Sequence, residues 1–389
     1  MTTSTADVAV LGCGAMGSAA CSFIARRGAS VIGIERFSRA HDRGSSHGHS
    51  RVYRESYHEH PDYVPLLMEA GRQWEQLESR VGSTLLIRCG VLYISTPGGQ
   101  IHDGVLESAS THGLECRILQ AEQLREEYPQ FRVMDEYVGI LEPNAGFIDP
   151  ERAIQAWLLD AEQAGATIME NTPVRSWEET GDCVRIELDD GVVEVGSLIV
   201  CSGAWTSRVI GQLGVPLHPT RQVIGWLRPD DPGCCEIGRM PVWLIDTCGN
   251  EPYYGIPTWP DQLGPEGMKV ALHGAGTPTD PDQEDGWVRP EEIERLRSEV
   301  LEHVPGAVGS MTHATTCMYT NSPDGDFIID RVPGCDRTWF AAGFSGHGFK
   351  FSSVMGRVMS DLSLDRRTDL PIEFLSLDRF DPSRSGDDR

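Results

Sequence analysis

The stretch Val8-Ala9-Val10-Leu11-Gly12-Cys13-Gly14-Ala15-Met16-Gly17 decides the fold of this 389-residue chain. Its first four residues form an apolar run typical of a buried strand, and the next six carry the spacing Gly-x-Gly-x-x-Gly. Residues 18–27 predict a helix that ends at Gly28, and Val31–Ile34 predicts a second strand. A glycine turn in this context predicts a βαβ unit that binds a dinucleotide.

Each glycine of the turn has its own physical reason. Gly12 permits the tight turn, Gly14 lets the backbone approach a pyrophosphate, and Gly17 lets helix and strand pack closely. The N-terminus of the helix then faces the phosphates with its positive end. Glu35, at the end of the second strand, is expected to accept hydrogen bonds from ribose hydroxyls. The motif alone does not separate NAD from FAD.

The rest of the chain alternates between predicted helices and strands. Helices are predicted over 104–111, 121–127, 150–164 and 351–362, and strands over 91–94, 184–188, 192–195, 197–201, 222–226, 241–245, 269–273 and 339–342. Asp149 is the expected N-cap of the third of these helices, with Pro150 at its first position. The last dozen residues are rich in Asp, Ser and Arg and are expected to be frayed.

This order of elements predicts an α/β protein of mixed α+β character with two interleaved domains. A Rossmann-type dinucleotide-binding domain is expected to collect residues 1–86, 147–217 and 319–389. A substrate domain built on a largely antiparallel sheet is expected to comprise residues 87–146 and 218–318.

The composition excludes some classes of partner. A formal net charge of −25 argues against nucleic acid and anionic membranes, and otherwise favours solubility. There is no basic leader before a long apolar core, and no stretch is apolar enough to span a bilayer, so we expect neither a signal peptide nor a membrane anchor. Eleven scattered cysteines without a CxxC pair are typical of reduced thiols in a cytoplasm.

Two motifs towards the C-terminus narrow the chemistry. They are Cys317-Met318-Tyr319-Thr320 and Gly343-Phe344-Ser345-Gly346-His347-Gly348-Phe349-Lys350-Phe351. Shorter segments accompany them at residues 44–54, 142–146, 221–223 and 252–257. Together with the glycine turn, these segments resemble monomeric sarcosine oxidase and N-methyltryptophan oxidase, within the wider glycine/D-amino-acid oxidase family. The resemblance extends over essentially the whole chain.

The resemblance implies an FAD cofactor, bonded covalently through its 8α-methyl carbon to the sulfur of Cys317. The Rossmann-type domain is then an FAD-binding domain. The glycines of the late motif would let the backbone approach the isoalloxazine, and the helix that follows would stabilise negative charge on it. The residues implied to contact the cofactor are Gly12, Gly14, Gly17, Glu35, Ser45, Arg51, Cys317, Gly343, Gly346, His347, Gly348 and Lys350.

The resemblance also implies a set of reaction residues. Those placed at the reacting centre are Lys269, Arg51, His273 and Tyr319, and those placed around the substrate are Arg54, Lys350 and Tyr254. The chemistry agrees, because an anionic substrate needs a positive anchor: Arg54 offers a planar fork to a carboxylate and Lys350 a point charge. Lys269 is the residue implied to activate oxygen, since a fixed positive charge favours superoxide formation.

Two histidine pairs, His47-Gly48-His49 and His58-Glu59-His60, allow a metal-site interpretation. The first pair lies in a Gly/Ser-rich loop, and neither is joined by a cysteine or acidic cluster that would complete a ligand set. We therefore expect no metal. His273, on a predicted strand, has the alternative of an ordinary core histidine.

The expected activity is oxidation of a small N-methyl amino acid such as sarcosine by O2, which releases H2O2, formaldehyde and the primary amine, in a monomer. Trp243 and Leu244 are expected at the pocket wall, where their bulk favours a small substrate. Tyr253 and Tyr254 face opposite sides of a strand, so only one should reach the pocket. The proline-rich stretch 257–265 departs from the family pattern and leaves N-methyltryptophan or a pipecolate-like cyclic amine open as the substrate. A NAD-linked dehydrogenase and a non-catalytic flavoprotein are the alternatives from other classes.

Overall fold

The computed structural model describes residues 2–246, 252–274, 276–284, 286–307 and 309–381. Within these ranges the strands are β1 Thr2–Leu11, β2 Val31–Ile34, β3 Arg51–Tyr53, β4 Leu86–Arg88, β5 Val91–Ser95, β6 Arg117–Gln120, β7 Val138–Glu142, β8 Gly146–Ile148, β9 Thr167–Met169, β10 Val174–Thr180, β11 Cys183–Leu188, β12 Gly191–Val200, β13 His218–Arg228, β14 Val242–Ile245, β15 Tyr253–Ile256, β16 Met268–Leu272, β17 Thr277–Pro278, β18 Ser310–Asn321, β19 Ile328–Arg331 and β20 Thr338–Ala342. The α-helices are α1 Ala15–Arg26, α2 Val64–Val81, α3 Gln100–His112, α4 Ala121–Glu127, α5 Pro150–Gln163, α6 Thr206–Ile210, α7 Pro290–His303 and α8 Ser352–Asp365.

The first sheet carries the predicted βαβ unit. Its strands run in the order β10-β11-β12-β1-β2-β9, and β20 pairs with β12 while β19 pairs with β20. Its centre is parallel, since β1 pairs in parallel with both β12 and β2. The glycine turn therefore lies at the carboxyl end of β1, the position where open parallel sheets bind their ligands.

The second sheet is largely antiparallel, in the order β17-β13-β16-β15-β14-β5-β7-β6, with β18 on the other side of β13. The long β13 pairs with β18 over most of its length, opposing Gln222 to Cys317. The single parallel pair of this sheet among the described strands is β14 with β5. A small third sheet, β3-β8-β4, pairs Arg51 with Ile148.

The largest apolar core lies against the first sheet, where α1, α2, α5 and α8 pack together. Trp157 of α5 contacts Phe23 and Trp74, with ring centroids 5.6 and 5.8 Å away. Close packing here depends on glycine, because a Cβ added at Gly17 would lie 1.8 Å from the carbonyl oxygen of Gly12. This core fixes the N-terminus of α1 against the carboxyl end of β1.

The predicted fold class is confirmed, with a parallel-centred sheet and a separate, largely antiparallel one. Asp149 caps α5 by accepting a hydrogen bond from the amide of Arg152 at 3.0 Å, and Pro150 is its first residue. Three helices, α2, α6 and α7, were not predicted. The first sheet uses residues 2–34, 167–200 and 328–342, and the second uses 91–142 and 218–321; the two domain boundaries themselves stay a prediction.

The expectation of a frayed C-terminus is wrong for its first residues. Leu377–Phe380 forms a 3-10 helix. Arg379 donates to Asp324 at 2.8 Å, and the preceding Ser376 donates to Asp330 at 2.7 Å. These two partners fix the segment against the first sheet. The polar composition of the segment did not indicate this order. Residues 382–389 lie outside the described ranges.

Candidate active site

A cleft of about 900 Å³ opens at the carboxyl end of β1. Gly12 has a φ of +87°, a left-handed conformation that glycine adopts at no steric cost. A Cβ at Gly14 would meet nothing within 4 Å, so the backbone there faces open space. The volume is near the upper end of the roughly 300–1,000 Å³ typical of ligand sites. The turn thus presents the N-terminus of α1 to a ligand of dinucleotide size.

Glu35 lies at this cleft, buried at the end of β2. Its carboxylate accepts hydrogen bonds from the amides of Cys13 at 2.9 Å and Phe37 at 3.0 Å. The nearest oxygen lies 3.5 Å from Nε2 of His41. These contacts fix the carboxylate at the cleft wall, where ribose hydroxyls would meet it.

The late glycine motif forms the opposite end of the cleft, where Gly343, Gly346 and Gly348 line the wall. A Cβ at Gly346 would lie 2.3 Å from the ring of Tyr319, so glycine is required there. The hydroxyl of Thr320, also at this wall, is buried and has no hydrogen-bond partner in the described part of the chain. A dinucleotide with a flat ring system fits this set, because backbone can approach the ring and the orphaned hydroxyl can donate to it.

Cys317 lies on β18 directly before the cleft-lining residues Met318, Tyr319 and Thr320. Its side chain is buried. Burial raises the pKa of its thiol, and the positive charges of Arg51 and Lys269 oppose that rise. The cysteine therefore adjoins residues that line the cleft and has two cations beside it.

A second, smaller cavity of about 70 Å³ adjoins the cleft. Arg51, Tyr319, Gly346 and Phe349 line both. Its remaining wall combines cations, aromatic rings and apolar side chains, namely Val52, Arg54, Val91, Tyr93, Val242, Trp243, Leu244, Tyr254, His273, His347 and Lys350. The predicted substrate residues thus line one cavity, and the expectation of a pocket wall at Trp243 and Leu244 is confirmed.

Arg54 and Lys350 are both buried, at 5% and 4% exposure. The Arg54 guanidinium lies 4.4 Å and the Lys350 ammonium 4.9 Å from the centroid of the Tyr57 ring, which supports both by cation–π attraction. Burial lowers the pKa of Lys350, and Arg54 lowers it further. Two neighbouring buried cations are unfavourable by themselves, so this end of the cavity attracts an anion.

One carboxylate already contacts this pair. Glu59 accepts a hydrogen bond from Arg54 at 2.5 Å, which forms a largely buried ion pair. Burial would raise the pKa of Glu59, but Arg54 and further cations hold it well below its usual value. The second Glu59 oxygen has no hydrogen-bond partner among the described residues, and lies 3.6 Å from His58.

Lys269 lies on β16 at 1% exposure. Its ammonium donates to the backbone carbonyls of Gly48 at 2.8 Å and Ser50 at 2.7 Å. Burial lowers its pKa well below the usual value, and Arg51 lowers it further. Arg51 is held nearby, donating to the carbonyls of Ser45 and Ser50, each at 2.8 Å. The loop that contains Ser45 therefore positions both cations.

Aromatic and imidazole groups also line the small cavity. The hydroxyl of Tyr319 lies 3.5 Å from Nδ1 of His273. Tyr254 lines this cavity, while Tyr253 packs into a separate apolar cluster with Trp243, so the prediction that only one tyrosine faces the pocket is confirmed.

His347 has a defined tautomer. Burial lowers its pKa to about 3, so the ring is neutral near pH 7. Nε2 lies 3.1 Å from the carbonyl of Gly325 and must donate to it. Nδ1 therefore accepts from the hydroxyl of Tyr57. This hydrogen bond fixes the ring of Tyr57, which both Arg54 and Lys350 contact.

Neither histidine pair forms a metal-ligand cluster in the part of the chain that the structure describes. There, the single group of three potential ligands with mutually close atoms is Glu299, Glu302 and His303 on α7. Burial lowers the pKa of His47 to about 3, which leaves it a neutral neighbour of Arg51 and Lys269. No helix among the described residues has the length and apolar character to cross a membrane.

Most of the residues predicted for the site line one of the two cavities, whereas Gly17, Lys269 and Cys317 line neither. Sequence reasoning missed five contributors: Tyr57, Glu59, Tyr93, Glu142 and Glu151. Tyr57 and Glu142 lie in segments adjacent to or inside stretches that carried the resemblance, which was the available signal. Glu151 follows the Asp149-Pro150 helix start but had no other signal.

The comparisons with known proteins agree with this geometry. A family model for FAD dependent oxidoreductases (DAO) matches residues 7–362. Monomeric sarcosine oxidase of Bacillus sp. (strain NS-129) is 36% identical over 96% of this chain and 96% of its own length. The enzyme of the same name from Streptomyces avermitilis is 36% identical over 98% of each chain. N-methyl-L-tryptophan oxidase of Escherichia coli O81 is 32% identical over 96% of this chain and 99% of its own.

Two solved structures share the fold. The open form of NikD, described as an unusual amino acid oxidase essential for nikkomycin biosynthesis, superposes with a TM-score of 0.83 at 24% identity, over 96% of this chain and 97% of that one. L-proline dehydrogenase from P. horikoshii also has a TM-score of 0.83, at 20% identity, over 97% and 98%. The family match decides for FAD the question that the glycine turn left open between NAD and FAD. The chain therefore belongs to the FAD-dependent oxidoreductase family, among relatives that include monomeric sarcosine oxidases and N-methyl-L-tryptophan oxidases.

Proposed function

We propose that this protein is an FAD-dependent amine oxidase of a small secondary amino acid, with sarcosine as the first-choice substrate. Sarcosine, O2 and water would give glycine, formaldehyde and H2O2. When bound, FAD supplies the two-electron acceptor for the substrate C–N bond and passes the electrons to O2. The relatives named above support this reaction class.

The observation that carries the proposal is the pair of buried cations, Arg54 and Lys350, beside a small cavity that joins the cofactor cleft. A carboxylate is the ligand that such a pair recognises, and Arg54 can form two parallel hydrogen bonds to it. With the carboxylate anchored there, the α-amino group lies towards Tyr254, His273 and Tyr319. Holding the substrate in one orientation is itself a large part of catalysis.

The amine must lose its proton before it is oxidised. The cavity wall is positive, and aromatic rings replace water around the nitrogen, so the ammonium form is disfavoured. Arg51 and His273 are among the residues that line this cavity. A substrate-binding profile without any ionisation between pH 6 and 10, roughly the range that spans a perturbed amine, would contradict this role.

Oxygen reduction needs a nearby positive charge, because negative charge develops on O2. Lys269 offers a buried cation there, and its two carbonyl partners prevent it from turning away. The proposal therefore gives separate cations to the two halves of the reaction, Arg54 with Lys350 to the substrate and Lys269 to oxygen.

We also propose that Cys317 bonds the flavin through a thioether. Its place on β18 before the cleft-lining Met318 supports this bond, and the two cations beside it oppose the rise in thiol pKa that burial causes. Cys317→Ala should release all yellow colour from the protein on acid precipitation, whereas wild type should keep it.

The matched control for this experiment is Cys201→Ala. Cys201 is also buried and itself lines the cleft. It follows the last residue of β12, and no cation is among the causes that perturb its pKa. The control should retain bound colour like wild type. A Cys317→Ala protein whose flavin stays attached after denaturation refutes the thioether.

A cavity of about 70 Å³ favours a small substrate over one with an indole side chain. Steady-state peroxide release with sarcosine, N-methyltryptophan and pipecolate tests this. Sarcosine should give the highest kcat/KM, and a preference for either larger amine would keep the reaction class but overturn the substrate. A monomer and a cytoplasmic location are part of the proposal; the ten described cysteines are all unpaired, as reduced thiols would be.

A further inference from the structure

Glu151, in the first turn of α5, makes a contact that the proposed reaction does not use. Its carboxylate accepts hydrogen bonds from two consecutive backbone amides, Gly48 at 2.6 Å and His49 at 3.2 and 3.1 Å. The side chain is 17% exposed, so these bonds are largely shielded from water. A carboxylate that accepts two amides in this way holds the backbone segment in place.

The segment that it holds is strained. Gly48 has a φ of +95° and His49 a φ of +61°, and only the first of these suits its residue. The amide of Ser50 donates to the carbonyl of Gly48 at 2.8 Å, which closes a tight γ-type turn centred on His49. A non-glycine residue stays in such a turn only where its surroundings fix it.

The other side of this turn faces Lys269. The ammonium donates to the carbonyls of Gly48 and Ser50. The peptide unit between Gly48 and His49 therefore points its carbonyl at Lys269 and its N–H at Glu151. Its dipole lies between a cation and an anion in the orientation that stabilises both.

We propose that Glu151 is a positioning residue for Lys269, acting through the Gly48–His49 peptide. Glu151 does not touch the substrate or the cofactor cleft; it fixes the carbonyl that fixes the ammonium. This inference rests on the proposed role of Lys269 in oxygen reduction. Through Glu151, helix α5 would then determine the position of the Lys269 ammonium.

A second carboxylate with the same type of contact serves as the internal control. Glu142, at the end of β7, accepts from the amides of Glu55 at 2.7 Å and Ser56 at 3.2 Å. These residues follow Arg54 directly, and Arg54 also reaches the Ser56 carbonyl at 3.4 Å. Glu142 thus holds the segment next to Arg54, the cation proposed to bind the substrate. In the same way, Glu151 holds the segment that contacts Lys269, the cation proposed to act on oxygen.

The test compares Glu151→Gln with Glu142→Gln in the holoenzyme. The flavin is reduced with dithionite and mixed with O2, so reoxidation is measured without any substrate. Glu151→Gln should slow this step about tenfold, the rate equivalent of one charge-assisted hydrogen bond, with sarcosine reduction unchanged within about twofold. Glu142→Gln should do the reverse, weakening sarcosine binding about tenfold and leaving reoxidation within about twofold.

A pH profile separates positioning from mere structural support. The charged and titratable groups that act on Lys269 are Arg51, His47, Cys317, Asp149 and Glu151. Burial lowers the pKa of Lys269, and Glu151 opposes that effect. Removal of its charge should lower this pKa further, so the loss of reoxidation rate at high pH should begin at a lower pH in Glu151→Gln than in wild type.

Hydrogen exchange gives a readout that does not depend on turnover. In the oxidised holoenzyme, Glu151→Ala should speed exchange in residues 44–51 and leave residues 55–60 unchanged. Equal slowing of reoxidation in both glutamine variants, or a Glu151→Gln protein that reoxidises like wild type, overturns the inference. Failure of the proposed function is distinct: no secondary amino acid would reduce the wild-type flavin, while dithionite-reduced protein would still reveal the difference between the variants.

Discussion

Lys269→Met is expected to slow flavin reoxidation by O2 about 10²–10³-fold, the range seen when one preorganised electrostatic contact is removed. The methionine keeps the length of the side chain but removes the charge that stabilises developing superoxide. Substrate reduction of the flavin should change far less, because the proposed carboxylate anchor is Arg54 with Lys350, which line the small cavity, and not Lys269. Stopped-flow measurement of the two half-reactions separates these effects.

The matched control for Lys269→Met is Lys350→Met. Both lysines are buried, and the pKa of each is lowered first by burial. Lys350→Met should weaken substrate binding and leave reoxidation of chemically reduced enzyme near the wild-type rate. If the two variants slow the same half-reaction, the assignment of Lys350 to the substrate and of Lys269 to oxygen is wrong.

Arg54→Met is expected to affect both stability and activity. It leaves Glu59 as a largely buried carboxylate without its cation, which should cost about 3–5 kcal/mol of unfolding free energy. It also removes the planar fork, so kcat/KM for sarcosine should fall about 10²-fold or more. Denaturant unfolding and peroxide-release kinetics measure the two effects.

The stability effect has a definite pH dependence. Because cations hold the pKa of Glu59 below its usual 4.5, the stabilisation from its pairing is complete above about pH 4.5 and is lost as the pH falls through the lower, native value. Wild type and Arg54→Met should therefore converge in stability at acidic pH. A difference that stays constant down to pH 3, roughly one unit below the ordinary carboxyl range, contradicts the buried-pair explanation.

Arg54→Lys is the control that separates charge from shape. It keeps a cation beside Glu59, so most of the stability should return. The two parallel hydrogen bonds to a substrate carboxylate are lost, so KM should stay high. Full recovery of activity by lysine would show that the fork is not used.

The parts of the site that could be predicted from sequence are those with local causes. The glycines of the first turn are required by geometry within a few residues: Gly12 by its positive φ, and Gly17 by the Gly12 carbonyl that a Cβ would strike. The N-cap of α5 depends on Asp149 and on an amide three residues later. Such features are visible in one short window of the chain.

The reaction residues needed more than a local pattern. Nothing in the sequence near Lys350 shows that it is buried, and its position also fits a surface cation at a helix start. It was assigned to the site because of the family resemblance. Helix α2 was missed although its pattern was present, since Val64, Leu67, Trp74 and Leu77 recur on one buried face. Pro65, the second residue of the helix, was the further signal that went unused.

The carboxylates that position the cations could not be predicted from the sequence. Glu151 contacts Gly48 across 103 residues, and Glu142 contacts Glu55 across 87. Both contacts are to backbone amides, which every residue except proline has. The residue types at the partner positions therefore do not indicate these contacts. Only the tertiary fold, which places α5 and β7 beneath the two loops, brings these groups together.

The central claim is that Arg54 and Lys350 hold a substrate carboxylate while the adjoining amine reduces the flavin. The most direct measurement is anaerobic mixing of the enzyme with sarcosine and, separately, with dimethylamine, which lacks only the carboxylate. Rapid bleaching of the flavin absorbance by sarcosine, with none by dimethylamine at equal concentration, is the expected result. Equal bleaching by both would contradict the carboxylate anchor, and bleaching by neither would contradict the proposed oxidation of small secondary amino acids.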